Sequence, residues 1–469
     1  MTRSLILPVL LGAFLTAHAQ EPQAPIHLSG ETYGLFDNDL LSSEFHKERR
    51  EALRNKMPNG GVAVLFANPV RNRSNDVDHE YHQDPDLYYL SGLDEPNGLL
   101  IVFKEPHRIA GEQVRELLVV QERDPAREVW NGHRLGTQGA QERLGVEAAV
   151  SGAAFLGMDA FLGSEDILFT DIPVVGQAPD PNDPADLSDL IDGFTRMSSD
   201  VRQGASNDLM KWMAELREVK GPEELVLMRK AIDITCLAQN ELMAKLRPEM
   251  TEYQTEAIVE YVFKVNGAEH EGFPSIQGGG PHSCVLHYVT NRRTLGENDL
   301  LVSDIGAEYH GYTADVTRTL PANGTFSPEQ RAIYDLVYRA QEAGIAKVRA
   351  GNAFHAAHGA ATEVITKGLM DLGLIQEERE VRRYFMHGTS HYLGLDVHDA
   401  GTYGPLKVGN VITVEPGIYI AKGSPCDPKW WNIGVRIEDD ILVTEGDPVN
   451  LSAGSPRTAE AVEAAMQAK

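Results

Sequence analysis

The sequence predicts a two-domain protein of the α+β class. Its 469 residues exceed what one ordinary hydrophobic core holds, so two domains are expected. In residues 42–205, strand patterns alternate with helix patterns, which is typical of an α/β domain. In residues 206–469, two long helix patterns precede strand pairs with period-two alternation. We place the boundary between the two domains near residues 205–220.

The composition is that of a soluble globular protein, with 42% hydrophobic and 24% charged residues. The net charge of −27 disfavours nucleic acid and anionic membrane surfaces as partners, because both carry the same sign of charge. The three cysteines, Cys236, Cys284 and Cys426, are too few for a disulfide framework and lack the spacing of a zinc site. We expect none of them to pair.

The first 19 residues have the pattern of a secretory signal peptide. Arg3 supplies the positive charge, residues 5–15 form an apolar run, and the small residues Ala17 and Ala19 precede the expected cleavage site. The apolar run is too short to span a bilayer. We therefore expect an exported protein, periplasmic or secreted, with no membrane contact after cleavage between Ala19 and Gln20.

Local patterns indicate the elements of the first domain. Residues 20–41 begin with polar residues and prolines, and we expect them to form a lead-in segment before the first domain. Helix patterns lie at residues 42–56, 134–145 and 153–162, and strand patterns lie at residues 61–67, 87–90, 98–103 and 116–121. Residues 176–186 are rich in proline and aspartate, which predicts a surface loop.

The second domain opens with two helix patterns that are separated by a break. A helix pattern at residues 207–218 ends at the run Val219-Lys220-Gly221-Pro222, and a new helix starts beyond it. The later helix patterns lie at residues 222–246, 251–266, 327–349 and 353–372, and the strand patterns lie at residues 284–320, 410–415 and 434–443.

A β-hairpin is predicted at the centre of this domain. Two alternating runs, Leu300–Ile305 and residues 312–320, flank a short turn at residues 309–310. A two-residue turn there places Asp304 directly opposite Asp315, about 5 Å apart. Two carboxylates at that distance repel each other unless a cation lies between them. For either aspartate alone, a solvated strand end is the ordinary alternative.

Further charges lie inside strand-like apolar runs. Glu415 ends one strand pattern, and Arg436 and Glu438 are two residues apart, so they share one face of a strand. Buried charges must be paired or bound to metal. Four carboxylates with a histidine fit a two-metal site, and this ligand chemistry suits Mn²⁺, with Co²⁺ or Zn²⁺ as alternatives. Taken singly, each residue also fits a turn, a salt bridge or a satisfied polar position.

Ordered motifs extend this interpretation to a known family. The runs LHY, SDIGAEYHGYTADVTRTLPANGTFS, FMHGTSHYLGLDVHDAG, TVEPGIYI and GVRIEDDILVT resemble the Xaa-Pro aminopeptidases (aminopeptidase P) of the pita-bread metallopeptidase family. The runs DPDLYYLSGLDEPNGLL and EVWNGHRLG are similar to that family's N-terminal domain. The resemblance implies a creatinase-like α/β domain followed by a pita-bread domain, which is a curved antiparallel sheet with helices on its outer face.

The resemblance implies a role for each site residue. Two divalent metal ions, Mn²⁺ foremost, are held by Asp304, Asp315, His391, Glu415 and Glu438, with Asp315 and Glu438 bridging both ions. Thr317 is expected to support Asp315. The implied catalytic residues are His287, His398 and Glu415, and the implied substrate-binding residues are His287, His387, His398, Tyr419 and Arg436.

The implied activity is removal of the N-terminal residue from peptides with proline in the second position, by a hydroxide that bridges the metals. The resemblance also implies a homo-oligomer, either a dimer or a tetramer. Three alternatives stay open. A prolidase shares the fold and ligands but cuts only dipeptides, a non-catalytic pita-bread module binds peptides without cutting them, and a creatinase-type hydrolase works without metal.

Overall fold

The computed structural model describes residues 39–176, 185–205 and 207–467. The predicted signal peptide and most of the lead-in lie outside these ranges. Within them, no helix combines the length and the apolar character needed to cross a membrane.

The first domain is built around one mixed sheet. Its helices are α1 (Ser43–Lys56), α2 (Pro85–Ser91), α3 (Pro125–Asn131), α4 (Gly136–Leu144), α5 (Gly152–Leu156) and α6 (Leu187–Met197). Its strands are β1 (Gly61–Phe66), β2 (Asn72–Ser74), β3 (Val77–Asp78), β4 (Leu99–Ile109), β5 (Glu112–Val120), β6 (Ala149–Ser151), β7 (Ile167–Thr170) and β8 (Arg202–Gln203).

The sheet has the strand order β6-β5-β4-β1-β7-β8, with β2 and β3 forming a separate hairpin. Strand β1 is antiparallel to β4 and parallel to β7, so it lies at the centre of the sheet. Every residue of β1 is buried, as expected for a strand covered on both faces. The predicted alternation of helices and strands is therefore confirmed for this domain.

The predicted strand at residues 87–90 is wrong, because this run lies inside α2. Asp84 caps the helix by accepting a hydrogen bond from Leu87 N at 2.8 Å, and Pro85 occupies the first turn. Gly92 ends the helix with a φ of 73°. The capping residues on both sides decide the structure of a short apolar run.

The second domain contains longer helices and many short strands. Its helices are α7 (Asp208–Arg217), α8 (Pro222–Lys245), α9 (Glu252–Val265), α10 (Pro328–Ile345), α11 (Ala356–Asp371) and α12 (Ala459–Gln467). Its strands are β9 (His270–Glu271), β10 (Ile276–Gly279), β11 (Leu300–Ile305), β12 (Ala307–Tyr309), β13 (Tyr312–Thr313), β14 (Val316–Pro321), β15 (Val411–Val414), β16 (Gly417–Ile420), β17 (Ile433–Arg436), β18 (Asp439–Leu442) and β19 (Val449–Asn450). Short 3₁₀ turns lie at Gly280–Cys284, Glu378–Arg383 and Pro428–Trp430.

All strand pairs of this domain are antiparallel, in the orders β10-β11-β14, β13-β12-β9, β15-β18-β19 and β16-β17. Helices close one side of these strands. Gln239 on α8 donates to the carbonyl oxygens of Ser303 and Val316, each at 2.9 Å, and Gln341 on α10 donates to Val414 O at 3.2 Å. The opposite side of the strands is left for the charged residues.

The predicted hairpin exists, but its register differs by two residues. Asp304 on β11 faces Thr317 on β14, not Asp315. The turn lies at His310-Gly311, where the φ angles are 48° and 80°. Two positive φ values are typical of the primed hairpin turns, whose twist matches that of the flanking strands, and Gly311 supplies one of them without strain.

Two other strand predictions cover more residues than the strands themselves. The predicted run at 284–320 starts with a 3₁₀ turn and a loop, and its first strand is Leu300–Ile305. The predicted run at 434–443 is interrupted, because β17 ends at Arg436 and β18 begins at Asp439. Glu438 therefore lies at a break between two strands.

Candidate metal and peptide site

One cavity of about 500 Å³ brings the predicted site residues together. Strand ends and breaks supply its acids: Asp304 lies near the end of β11, Asp315 precedes β14, and Glu415 follows β15. Of the ten predicted residues, all but Tyr419 line the cavity: His287, Asp304, Asp315, His387, His391, His398, Glu415, Arg436 and Glu438.

Three ligand-type side chains that line this cavity form a cluster. Ligand atoms of Asp315, His391 and Glu438 all lie within 4.8 Å of one another. His391 Nε2 is 3.4 Å from Asp315 Oδ2 and 3.7 Å from Glu415 Oε1. Asp304 lines the same cavity outside this cluster, with its Oδ2 atom turned towards an arginine.

The buried acids fit a divalent cation. The Oδ1 atoms of Asp304 and Asp315 are buried and have no hydrogen-bond partner among the described residues. Burial and the neighbouring Asp304 raise the pKa of Asp315 well above its usual range, and burial with Asp315 does the same for the pKa of Glu438. Carboxylates in such a group repel one another until a cation neutralises them, so the donor set suits one or more metal ions.

His391 is held in the orientation that a metal ligand needs. Its Nδ1 donates to the carbonyl oxygen of Tyr392 at 3.0 Å, which leaves Nε2 free to face the carboxylates. Backbone hydrogen bonds fix the segment: Thr413 N donates to His391 O at 3.0 Å, and Glu415 N donates to Thr389 O at 2.9 Å. The histidine and Glu415 are thus placed side by side by one short ladder.

Thr317 orients Glu438, although Asp315 was its expected partner. The Thr317 hydroxyl donates to Glu438 Oε2 at 2.6 Å, and Glu438 N donates back to Thr317 O at 3.1 Å. In the hairpin register Thr317 lies directly opposite Asp304, so one threonine lies beside two of the predicted acidic ligands.

Arg436 connects the acids to Tyr419 and His387, two residues that were predicted to bind substrate. Its guanidinium donates to Asp304 Oδ2 at 2.6 Å and to the Tyr419 oxygen at 2.9 Å. The Tyr419 oxygen is 2.9 Å from His387 Nε2, and His387 Nδ1 is 3.5 Å from Glu415 Oε2. Burial and Arg436 lower the pKa of His387 to about 4, so this imidazole is neutral near pH 7.

Two acid–base groups complete the cavity. Burial raises the pKa of Glu415 to about 7, which suits a group that accepts and releases a proton near neutral pH. The rings of His391 and His398 are 4.4 Å apart, and burial with His391 lowers the pKa of His398. His287 lines the same cavity from the loop after the 3₁₀ turn Gly280–Cys284.

Sequence reasoning missed two features of the site. The first is an apolar wall, for which the sequence offers no charge or motif signal: Phe273, Pro274, Ile276, Leu286, Val289 and Val397. The second is Asp440, whose Oδ2 accepts from Asp315 N at 3.2 Å and whose pKa burial raises well above its usual range. The run Glu438-Asp439-Asp440 inside an apolar strand was the available signal for that residue.

The fold and this site define a two-domain metallopeptidase with a pita-bread catalytic domain. Residues 226–445 match the model of metallopeptidase family M24, and residues 46–157 match that of the aminopeptidase P N-terminal domain. The chain belongs to metallopeptidase family M24.

Its relatives cover most of its length. The chain is 35% identical to the Xaa-Pro aminopeptidase of Escherichia coli K12 over 452 residues, which is 92% of this chain and 99% of that protein. It is 32% identical to human Xaa-Pro aminopeptidase 3 over 416 residues, which is 86% of this chain and 80% of that protein.

Solved structures agree. Proline aminopeptidase P II from Yersinia pestis superposes with a TM-score of 0.82 at 32% identity, covering 92% of this chain and 100% of that chain. E. coli aminopeptidase P with the inhibitor Pro-Leu superposes with a TM-score of 0.81 at 34% identity, covering 91% and 98% of the two chains. The predicted fold class is confirmed.

Proposed function

We infer that this protein is a metal-dependent Xaa-Pro aminopeptidase, which removes the N-terminal residue from peptides with proline in the second position. The observation that carries this inference is the meeting of five ligand-type residues in one cavity of a chain that matches such enzymes along its length. The five residues are Asp304, Asp315, His391, Glu415 and Glu438. Their presence favours this activity over a binding module or a metal-free hydrolase.

We propose that two divalent ions, Mn²⁺ foremost, bind this cavity. Asp304 would hold one ion, His391 and Glu415 would hold the other, and Asp315 and Glu438 would contribute to both. When bound, the metals supply Lewis-acid polarisation of the scissile carbonyl and an activated water. The carboxylate-rich ligand set with one imidazole supports Mn²⁺, with Co²⁺ or Zn²⁺ as alternatives.

The chain's own residues bind the peptide and move the proton. Glu415 would take a proton and deliver it to the leaving proline nitrogen. We propose that His287, His387 and His398 contact the substrate around the scissile carbonyl, and Arg436 holds Tyr419 against His387. Proline forms a tertiary amide without an N–H, so its ring is recognised by shape, for which the apolar wall of the cavity is suited.

A substrate series with metal-stripped protein tests this function. We expect release of arginine from Arg-Pro-Pro after Mn²⁺ is added and none before it. Cleavage of Gly-Pro alone would identify a prolidase instead. A folded protein that cuts neither peptide with Mn²⁺, Co²⁺ or Zn²⁺ would be a binding module. In Glu415→Gln, loss of the proton carrier is expected to lower kcat by about 10²–10⁴-fold.

We further propose that the mature chain is exported and starts at Gln20, with domains at residues 42–205 and 206–469. N-terminal sequencing of the protein from a fractionated culture tests the first point, and an unprocessed Met1 in the cytoplasm would contradict it. We also propose a dimer or tetramer, which light scattering of the purified protein would measure directly.

A further inference from the structure

A single carbonyl oxygen, that of Tyr392, connects the His391 ring to the residue that follows His398. The loop of residues 391–399 carries His391 at one end and His398 near the other. Asp399 N donates to Tyr392 O at 2.9 Å, and the same oxygen accepts from His391 Nδ1 at 3.0 Å. The ring of the proposed metal ligand is therefore oriented by a loop that Asp399 closes.

Two cationic side chains, Arg217 and Lys220, form ion pairs with Asp399. Lys220 Nζ is 2.7 Å from Asp399 Oδ2, and an Arg217 guanidinium nitrogen contacts Asp399 Oδ1. The side chains of Lys220 and Asp399 are each 1% exposed and that of Arg217 is 5% exposed, so the three charges are buried together. Arg217 also lies 2.9 Å from Asp396 Oδ2, so both acids that flank His398 are paired with one guanidinium.

The same cations connect the loop to the first domain. Arg217 Nη1 is 2.7 Å from Asp86 Oδ1 in the first turn of α2, and the Tyr89 hydroxyl donates to Leu216 O at 3.0 Å. Lys220 Nζ donates to Arg217 O at 2.6 Å, which ties the two cations to each other. The end of α7, together with Lys220 in the helix break that follows it, is thus bonded to both domains.

The loop lies directly on this ion pair. A Cβ atom at Gly394 would lie 2.2 Å from Asp399 Oδ2 and 2.8 Å from Lys220 Nζ, so only glycine fits there. Gly394 O accepts from Thr313 N at 2.8 Å, two residues before Asp315. Movement of the ion pair would therefore reach both the histidine loop and the strand that leads to an acidic ligand.

We propose that Arg217 and Lys220 are positioning residues for peptide hydrolysis, which hold Asp399 and through it set the His391 ring and the place of His398. This inference rests on the proposed function. Removing one partner of a buried ion pair destabilises a fold, so a loss of stability alone would not reveal a positioning role. Groups that orient a metal ligand typically affect metal affinity or activity by about 10–100-fold, and that is the effect the proposal requires.

The test compares Arg217→Met and Lys220→Met with a matched control. Arg50 Nη2 lies 2.8 Å from Glu116 Oε1 in the first domain, and the two side chains are 0% and 1% exposed. Arg50→Met therefore also breaks a buried ion pair, but it touches no residue of the loop. Arg217→Lys keeps the charge and should restore part of the loss. For each variant, calorimetry gives the Mn²⁺ dissociation constant, and Arg-Pro-Pro hydrolysis at saturating Mn²⁺ gives kcat and KM.

We expect Arg217→Met and Lys220→Met to lose about 10–100-fold in kcat or Mn²⁺ affinity, while Arg50→Met stays within threefold despite a lower melting temperature. The proposal would be overturned if kcat and Mn²⁺ affinity in Arg217→Met and Lys220→Met stayed within threefold of the natural protein. An equal loss in Arg50→Met would also overturn it. If Lys220→Met does not fold, Gly394→Ala displaces the same ion pair with its charges intact, and the same limits apply. If the natural protein binds Mn²⁺ but cuts no peptide, the proposed function fails, and the calorimetric comparison still decides the positioning role.

Discussion

Arg436 Nη2 donates to Asp304 Oδ2 at 2.6 Å, inside the cavity where the metals are proposed to bind. The same guanidinium donates to the Tyr419 oxygen at 2.9 Å and to Thr317 Oγ1 at 3.3 Å. One oxygen of Asp304 is thereby fixed on the arginine, while Oδ1 has no partner among the described residues. The arginine thus determines which carboxylate oxygen faces the cavity.

Arg436→Lys is expected to lower kcat on Arg-Pro-Pro by about 10–100-fold at saturating Mn²⁺, because lysine keeps the charge but not the fork that reaches Asp304, Tyr419 and Thr317 together. Steady-state kinetics measures the change. Arg331→Lys is the control, since Arg331 pairs with Asp335 in a half-exposed position on α10 and should leave kcat unchanged. If Arg436→Lys kept the kcat of the natural protein, the guanidinium would not be needed to orient its partners.

Thr317→Val tests the orientation of Glu438. Valine keeps the shape of threonine but removes the hydroxyl that donates to Glu438 Oε2 at 2.6 Å. We expect Mn²⁺ affinity or activity to fall by about 10–100-fold with the fold intact. Thr255→Val is the matched control, because its buried hydroxyl donates to a helix carbonyl, Glu252 O, at 2.6 Å. Calorimetric titration with Mn²⁺ measures the affinity of both variants. Equal Mn²⁺ affinities of Thr317→Val and Thr255→Val would argue against a role of Thr317 in orienting Glu438.

The separate roles of the site residues are implied only by the family resemblance, but the choice of the four acids as candidate ligands follows from the sequence, because they stand at strand ends and breaks inside apolar runs. The hairpin register does not, because it depends on His310 adopting a positive φ in the turn. The strand predicted at residues 87–90 fails for a related reason: an apolar run of four residues fits a strand or a helix, and Asp84 with Gly92 decides between them.

Long-range charge pairing also escapes the sequence. Arg217 and Asp399 are 182 residues apart, and neither lies in a pattern that names the other as its partner. The apolar wall of the cavity also gives no signal in the sequence, since Phe273 and Val397 look like ordinary core residues until the fold brings them beside the acids. Tertiary packing supplies this information.

Asp315→Asn should separate stability from function in metal-free protein. Burial and Asp304 raise the pKa of Asp315 well above its usual range, so the acidic cluster destabilises the fold when no cation is bound. We expect the amide to raise the melting temperature of metal-stripped protein by a few degrees, which corresponds to about 1 kcal/mol.

Added Mn²⁺ gives the second readout. At a hundredfold excess over Kd it should stabilise the natural protein by about 2.7 kcal/mol, and it should leave Asp315→Asn without a response. Asp335→Asn is the control, because Asp335 is a half-exposed partner of Arg331 and should respond to Mn²⁺ as the natural protein does. A destabilised Asp315→Asn, or one that keeps the Mn²⁺ response, would refute the repulsion argument. Differential scanning calorimetry measures both effects.

His46 makes the first domain sensitive to acid. It is buried on α1, and its Nδ1 donates to Tyr89 O at 3.0 Å. Burial lowers the pKa of His46 to about 4, against 6.5 in the unfolded chain. Between pH 4 and pH 6.5 the unfolded chain binds a proton on His46 that the folded chain does not. The contribution of His46 to the free energy of unfolding is therefore fully present above pH 6.5 and is lost as the pH drops towards 4. The loss from pH 8 to pH 5 is about 2 kcal/mol.

His46→Asn should remove this loss, because the amide nitrogen replaces the donor to Tyr89 O without gaining a charge. We expect the variant to show a smaller fall in melting temperature between pH 8 and pH 5 than the natural protein, with the gap closing towards pH 8. His133→Asn is the control, since the His133 side chain is 72% exposed and should leave the pH dependence unchanged. If the melting temperatures of the natural protein and of His46→Asn fell equally between pH 8 and pH 5, His46 would not be the titrating group.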